Sequence, residues 1–272
     1  MKGREIRESL RNGRRIYSTC VTALSPRIPE FLRQAGVDFA FIDTEHTPLG
    51  REALSWMCQT YAALGIPPVV RIPSPDAVEA TKVIDGGAGG VIGPYIETLE
   101  QVEALVGAVR WRPLKGSRLQ NALKNPSAIE PELRSYVEAR NQDLLLILNI
   151  ESVPAIENLD ALLSIPGVDA VLIGPHDLSC SLGIPEQYQH PRFEEAVLTI
   201  LRTARAHNVG AGFHFWEDIE REVSWARAGA NLLIHSADIT YIRHNLKRDL
   251  DRIRNTLGDE KHGARARDSA IV

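Results

Sequence analysis

The chain has 272 residues, 44% hydrophobic and 24% charged, a composition that excludes disorder and fibrous repeats and is long enough for a large buried core. Lys and Arg number 31 against 35 Asp and Glu, and the resulting net charge of -4 gives no reason to expect a polyanionic partner such as nucleic acid. Cys20, Cys58 and Cys180 share no close spacing, which argues against a disulfide framework or zinc knuckle and for a reducing, cytoplasmic compartment. Met1 to Tyr17 mixes Arg and Glu instead of forming a signal peptide. No apolar run approaches the roughly 18 residues of a membrane span, so no membrane partner is expected.

Eight short apolar runs recur in chain order: Ile16 to Ala23, Phe39 to Asp43, Pro67 to Ile72, Gly89 to Pro94, Leu144 to Glu151, Ala170 to Pro175, Gly210 to Phe215 and Leu232 to Asp238. Between them Pro29 to Gln34, Glu52 to Ala63, Asp76 to Ile84, Leu99 to Arg110 and Phe193 to His207 carry apolar residues three and four apart, which reads as amphipathic helix. Ala35-Gly36-Val37-Asp38, Gly86-Gly87-Ala88-Gly89 and Ala228-Gly229-Ala230-Asn231 suit helices that stop at glycine before the next strand. Strands alternating with helices imply a parallel sheet, and eight repeats without a Gly-x-Gly-x-x-Gly after the first strand favour a (β/α)8 TIM barrel over an open doubly wound sheet.

One barrel domain over residues 1–257 and a polar tail over 258–272 account for the chain. Two segments stand outside the repeat. Trp111 to Asn141 is polar and proline-punctuated: a long active-site loop with a short helix at Pro131 to Arg140, or a surface insertion without function. Tyr241 to Leu257 places Ile242, Leu246, Leu250, Ile253 and Leu257 on one helical face.

Barrel enzymes carry their chemistry at the C-terminal ends of strands. There the second strand offers Ile42-Asp43-Thr44-Glu45-His46, the third Val70-Arg71, the fifth Asn149-Ile150-Glu151 and the sixth Gly174-Pro175-His176-Asp177. Glu151 and Asp177, from neighbouring strands, suit a hard divalent cation such as Mg2+ or Mn2+, with Co2+ a further candidate, that completes its shell with water and substrate oxygens. Each alone reads equally as a helix cap or an arginine partner. The same pair would serve a metal-free glycosidase, but 6% aromatic residues supply few sugar-stacking platforms.

Asp43 lies three residues before His46, a spacing that lets the aspartate hold one imidazole nitrogen while the other works as general acid or base. Arg71 interrupts an apolar run and needs an anion there, either a substrate oxyanion or an internal acid such as Glu45. Gly174-Pro175 supplies backbone at the strand end, and the amides of the turn that follows are a candidate cradle for a substrate carboxylate. His176 and His214 are accessory candidates, and His235 reads as a satisfied core histidine. No lysine lies in a predicted strand, so Schiff-base chemistry has no nucleophile. The last two strand ends lack a glycine-rich phosphate loop, which disfavours a phosphorylated substrate.

Gly36-Val37-Asp38-Phe39, Ile42-Asp43-Thr44-Glu45-His46-Thr47-Pro48, Val70-Arg71, Asn149-Ile150-Glu151-Ser152 and Ile173-Gly174-Pro175-His176-Asp177-Leu178-Ser179, in this order and spacing, resemble the HpcH/HpaI aldolase family related to citrate lyase and malyl-CoA lyase. The similarity runs from about Leu10 to Leu257. It implies a metal-dependent pyruvate aldolase with Glu151 and Asp177 as ligands, Asp43 and His46 as acid/base dyad, and Arg71 on the oxygen that becomes an enolate. Asn149, Gly174, Pro175 and His176 would complete the substrate-binding set. It further implies a homo-oligomer, a hexamer built as a trimer of dimers, with the last helix exchanged between subunits.

Asn149 departs from the glutamine found in many members, Cys20 from a tryptophan, and Trp111 to Gln120 keeps the usual Arg-Tyr-Pro-Pro pattern only in part. The expected reaction is reversible cleavage of a 4-hydroxy-2-oxo acid to pyruvate and an aldehyde. Cleavage of a β-hydroxyacyl-CoA thioester such as malyl-CoA or citramalyl-CoA, with arginines of Trp111 to Arg118 docking the nucleotide, is one alternative. A non-catalytic oxo-acid-binding subunit is another.

Overall fold

The computed structural model describes residues 1–216 and 218–259. Eight parallel strands close into a barrel in chain order: β1 (Ile16–Val21), β2 (Phe39–Asp43), β3 (Pro68–Arg71), β4 (Gly90–Gly93), β5 (Leu145–Ile150), β6 (Ala170–Ile173), β7 (Gly210–Phe215) and β8 (Leu232–Ala237). α1 (Gly3–Arg11) precedes β1. α2 (Ile28–Ala35), α3 (Arg51–Ala63), α4 (Ala77–Asp85) and α5 (Leu99–Arg110) follow the first four strands, and α6 (Gly116–Lys124) and α7 (Pro131–Asn141) intervene before β5. α8 (Val153–Glu157) and α9 (Leu159–Leu163) lead to β6, α10 (Pro175–Ser181) and α11 (Pro191–Ala206) to β7, α12 (Ile219–Arg227) to β8, and α13 (Asp238–Leu257) ends the described chain.

The strands read as continuous apolar runs because both of their faces are covered. Alternate residues divide between two cores. Phe39, Phe41, Val69, Ile92, Leu145, Ile147, Leu172 and Ile234 fill the barrel interior, while Ala40, Ile42, Val70, Val91, Leu146, Leu148, Val171 and Phe213 face the helices. Carried one step further toward the C-terminal mouth, the inward row reaches Asp43, Arg71, Asn149 and His214.

The far end is closed by α1, whose Ile6 and Leu10 join the interior core. Two apolar residues in a charged segment gave no periodic signal, so this helix escapes sequence reading. It is clamped by Asp169, which accepts from Arg7 Nε at 2.6 Å, pairs with Arg110 and takes the Leu146 N–H at 2.9 Å. Gly36 ends α2 at φ 75°, a left-handed position that glycine occupies without strain.

Within Trp111 to Asn141 the expected short helix at Pro131 to Arg140 is α7, whereas the part expected as a loop folds into α6 and a single 3-10 turn. The segment is tied to the end of α5 through Asn141 Nδ2, which donates to the carbonyls of Arg110 and Arg112 at 3.1 and 2.7 Å. Of the two arginines in Trp111 to Arg118, Arg112 pairs with Asp85 and Arg118 with Glu130, both at the surface. Along α13 only Asp238 is buried, and Ile242, Leu246, Ile253 and Leu257 are more than half exposed. The expected tail lies, from residue 260 on, outside the described residues. No helix among the described residues is long and apolar enough to cross a membrane.

The plug predicts a measurable asymmetry in stability. Leu10→Ala removes a fully buried side chain from the closed end of the barrel and is expected to cost about 2–5 kcal/mol in urea unfolding. Leu24→Ala, at a position 61% exposed, should stay within about 0.5 kcal/mol of the parent.

Candidate active site

Asp43 and Arg71 are register partners on β2 and β3 and share the inward face. Arg71 Nε donates to Asp43 Oδ1 at 2.9 Å and Nη2 to Oδ2 at 2.8 Å, a bidentate pair in which both residues are buried. Burial opposes the charge on Asp43, but the two hydrogen bonds and positive charge of Arg71 outweigh it and hold the carboxyl below its ordinary range. The guanidinium lies over the Phe41 ring, 5.4 Å from its centroid, and Glu45 Oε2 sits 3.2 Å from Nε.

The expected hydrogen bond between Asp43 and His46 does not form. Both carboxylate oxygens of Asp43 are taken within the barrel by Arg71, whereas His46 lies in the bend beyond the strand with its Nε2 3.7 Å from Glu45 Oε2. Glu45 is thus the acid beside His46, and burial raises its pKa.

On the opposite wall Glu151, just past β5, is 2% exposed. Its Oε1 accepts the Tyr95 backbone N–H at 2.8 Å and its Oε2 accepts Asn149 Nδ2 at 3.0 Å. Burial pushes its pKa up to about 7; the negative charge of Asp177 adds to the shift, while Arg71 and the two hydrogen bonds oppose it. Asp177 and His176 lie in the first turn of α10, with His176 Nδ1 3.7 Å from Asp177 Oδ1 and Nε2 3.9 Å from Glu186 Oε1.

Gly174 contributes space beside Glu151. A Cβ there would stand 2.0 Å from Glu151 Oε2, and the following Pro175 has no N–H to offer.

The donor set fits a divalent cation. Glu151 feels the negative charge of Asp177 in a buried pocket where its ionised form needs positive charge, and the buried Asn149 Oδ1 has no partner. Among the described residues no three His, Cys, Asp or Glu side chains gather as a cluster, so such a cation would rest on two protein carboxylates with the remaining positions open to water and substrate.

His214, inward on β7, places Nε2 3.1 Å from the Ser236 carbonyl, and burial lowers its pKa to about 4. His235, one residue out of step on β8, is no core residue: it faces α12, where Nδ1 meets Glu222 Oε1 at 2.7 Å, and its side chain is 35% exposed. Tyr95 holds Glu151 through its main chain at φ 46°, which nothing in the sequence announces. A cavity of about 620 Å³ lies away from all these groups, among α1, α5 and α7 at the closed end.

The raised pKa of Glu151 has a stability consequence. Between its ordinary value of 4.5 and about 7, the folded chain binds a proton that the unfolded chain has released, so the group's contribution to stability falls as pH rises through that window. In metal-free protein, Glu151→Gln should therefore raise stability by about 3 kcal/mol at pH 8 and change it little at pH 4.5, read by urea unfolding at the two pH values.

The family model described as HpcH/HpaI aldolase/citrate lyase matches residues 21–244. A 2-keto-3-deoxy-L-rhamnonate aldolase of Klebsiella pneumoniae is 32% identical over 232 residues, 85% of each chain. A hydroxypyruvate/pyruvate aldolase of Sagittula stellata is 32% identical over 238 residues, 86% of this chain and 92% of its own. Among solved structures, an HpcH/HpaI aldolase from Desulfitobacterium hafniense superposes with a TM-score of 0.79 at 26% identity, covering 92% of this chain and 96% of that one. The citrate synthase SbnG superposes with a TM-score of 0.80 at 27% identity, covering 93% and 99%. The chain belongs to the HpcH/HpaI aldolase/citrate lyase family, and as a carbon–carbon lyase it carries out aldol cleavage to pyruvate and an aldehyde.

Proposed function

We propose that the barrel mouth cleaves a 4-hydroxy-2-oxo acid reversibly, with Glu151 and Asp177 as the protein ligands of Mg2+ or Mn2+ and Arg71 beside the oxygen on which charge develops. The observation that carries this reading is the buried Glu151 carboxylate, set among the Tyr95 N–H, the Asn149 amide and the charge of Asp177. A divalent cation at this point supplies Lewis-acid stabilisation of the negative charge that forms as the carbon–carbon bond breaks.

Arg71 is aimed by its bidentate bond to Asp43. Its Nη1 makes no hydrogen bond among the described residues, which leaves N–H groups for the substrate oxyanion. Asp43 is therefore a positioning residue for Arg71. His46, beside Glu45, takes the proton of the 4-hydroxyl in cleavage and returns it in condensation. Asn149 and His176 flank the two carboxylates and contact the oxo acid, and Gly174 and Pro175 shape the wall behind it.

The names of the relatives, a 2-keto-3-deoxy-L-rhamnonate aldolase and a hydroxypyruvate/pyruvate aldolase, support a small oxo-acid substrate. The uncovered apolar face of α13 supports a homo-oligomer in which this helix packs on another subunit, in the hexameric arrangement the family resemblance implies. Three free cysteines support a reducing, cytoplasmic setting.

Chelation with EDTA is expected to abolish pyruvate release from a 4-hydroxy-2-oxo acid, and Mg2+ or Mn2+ to restore it; turnover that persists without metal would sink the mechanism. Arg71→Lys keeps a charge but loses the bidentate fork, and should lower kcat by roughly 10²–10³-fold. Leu246→Glu combined with Ile253→Glu should shift the mass measured by light scattering toward the 30.1 kDa monomer.

A further inference from the structure

The segment from Trp111 to Asn141, to which the chemistry at the barrel mouth assigns no residue, builds one wall of the cavity of about 620 Å³ at the closed end. That volume falls within the roughly 300–1,000 Å³ of small-molecule sites. Trp111, Leu123, Pro126 and Val137 make this wall apolar, and Val106 of α5 and Ile165, in the turn after α9, continue the apolar lining.

The polar part of the cavity gathers at Asp169, whose side chain is 1% exposed. Arg7 Nε donates to its Oδ1 at 2.6 Å and Arg110 Nη2 donates to its Oδ2, so two guanidinium groups share one carboxylate. Their other hydrogen bonds go to main-chain carbonyls, Arg7 to those of Gln142 and Leu144 and Arg110 to those of Gly167 and Leu144. Each guanidinium has five N–H groups and uses three in this way, so both keep donors to spare.

Arg11, exposed in the last turn of α1, lines the same cavity and makes no hydrogen bond or ion pair among the described residues. At the rim Arg134 is paired with Glu138 at 2.8 Å, and Glu103 is exposed. The lining therefore sets four guanidinium groups against three carboxylates, a surplus of one positive charge. Burial holds the pKa of Arg110 below its ordinary value; Asp169 opposes that shift, and the charges of Arg7 and Arg11 add to it.

We infer that the closed end of the barrel is a second ligand site, apart from the aldol centre, which takes a small monoanion with an apolar body: a carboxylate carried on an aromatic ring or a short alkyl chain. The carboxylate meets Arg11 and the spare N–H groups of Arg7 and Arg110, while the body lies against Trp111, Leu123 and Val137. One negative charge balances the surplus. An uncharged analogue of the same shape keeps the apolar contacts and loses the charge-assisted hydrogen bonds.

The test is calorimetric titration of the Mg2+-loaded full-length protein with 4-phenylbutyrate and with 4-phenylbutanol, which has the same body and no charge. The carboxylate should bind once per chain and roughly tenfold more tightly than the alcohol, the worth of a hydrogen bond to a charged group. Arg11→Glu, at an exposed position, should bring that ratio close to one. Ser164→Trp, also exposed and on the lining, fills the cavity and should abolish binding of both compounds.

Saturating pyruvate should leave the 4-phenylbutyrate isotherm unchanged, because the two sites lie at opposite ends of the barrel. Displacement by pyruvate, no binding of the carboxylate, or equal binding of carboxylate and alcohol by the parent overturns the assignment. So does an isotherm unchanged in either variant when circular dichroism shows that variant folded.

Discussion

In a closed parallel barrel every second residue of each strand points inward, and this period of two governs where chemistry can stand. Phe39 and Phe41 precede Asp43, Val69 precedes Arg71, and Leu145 and Ile147 precede Asn149, so each polar side chain emerges where its strand's apolar inner row ends. The interior core beneath keeps those groups from sinking into the barrel, and α1 seals the other end.

Polar groups at such depth persist only in company. Arg71 would be costly alone, and its two bonds to Asp43 with Glu45 alongside make it tolerable while aligning its remaining N–H groups. Glu151 is treated less generously: one backbone amide and one side-chain amide leave its charge only partly compensated, and its pKa rises accordingly. The contrast between the satisfied pair and the under-compensated carboxylate separates a fixed wall of the site from the wall on which we propose that a cation rests.

Much of the fold was legible because alternation of strand and helix is a local pattern. All eight apolar runs coincide with strands, and the periodic segments with helices. Elements without that pattern were lost: α1 shows only Ile6 and Leu10 one turn apart, and α6 is a mostly polar helix held by contacts to α5. Within the site, residue types at strand ends identified Asp43, Arg71, Glu151 and Asp177 as candidates. Spacing in the chain misassigned the partner of Asp43, because the neighbour across the ladder, Arg71, is nearer than the neighbour along the chain, His46.

The two strand histidines mark the same boundary. Composition and position put His214 and His235 at neighbouring strand ends, and strand parity, once register is known, sends one into the mouth and the other out to Glu222. The amino-acid sequence by itself determined the barrel, its eight strands and the reactive groups at their ends, since these follow from local periodicity and residue chemistry. Only the tertiary structure decided which groups meet, which carboxylate is left short of compensation and which imidazole is neutral, because hydrogen bonding across strands and desolvation depend on neighbours that lie far away in the chain.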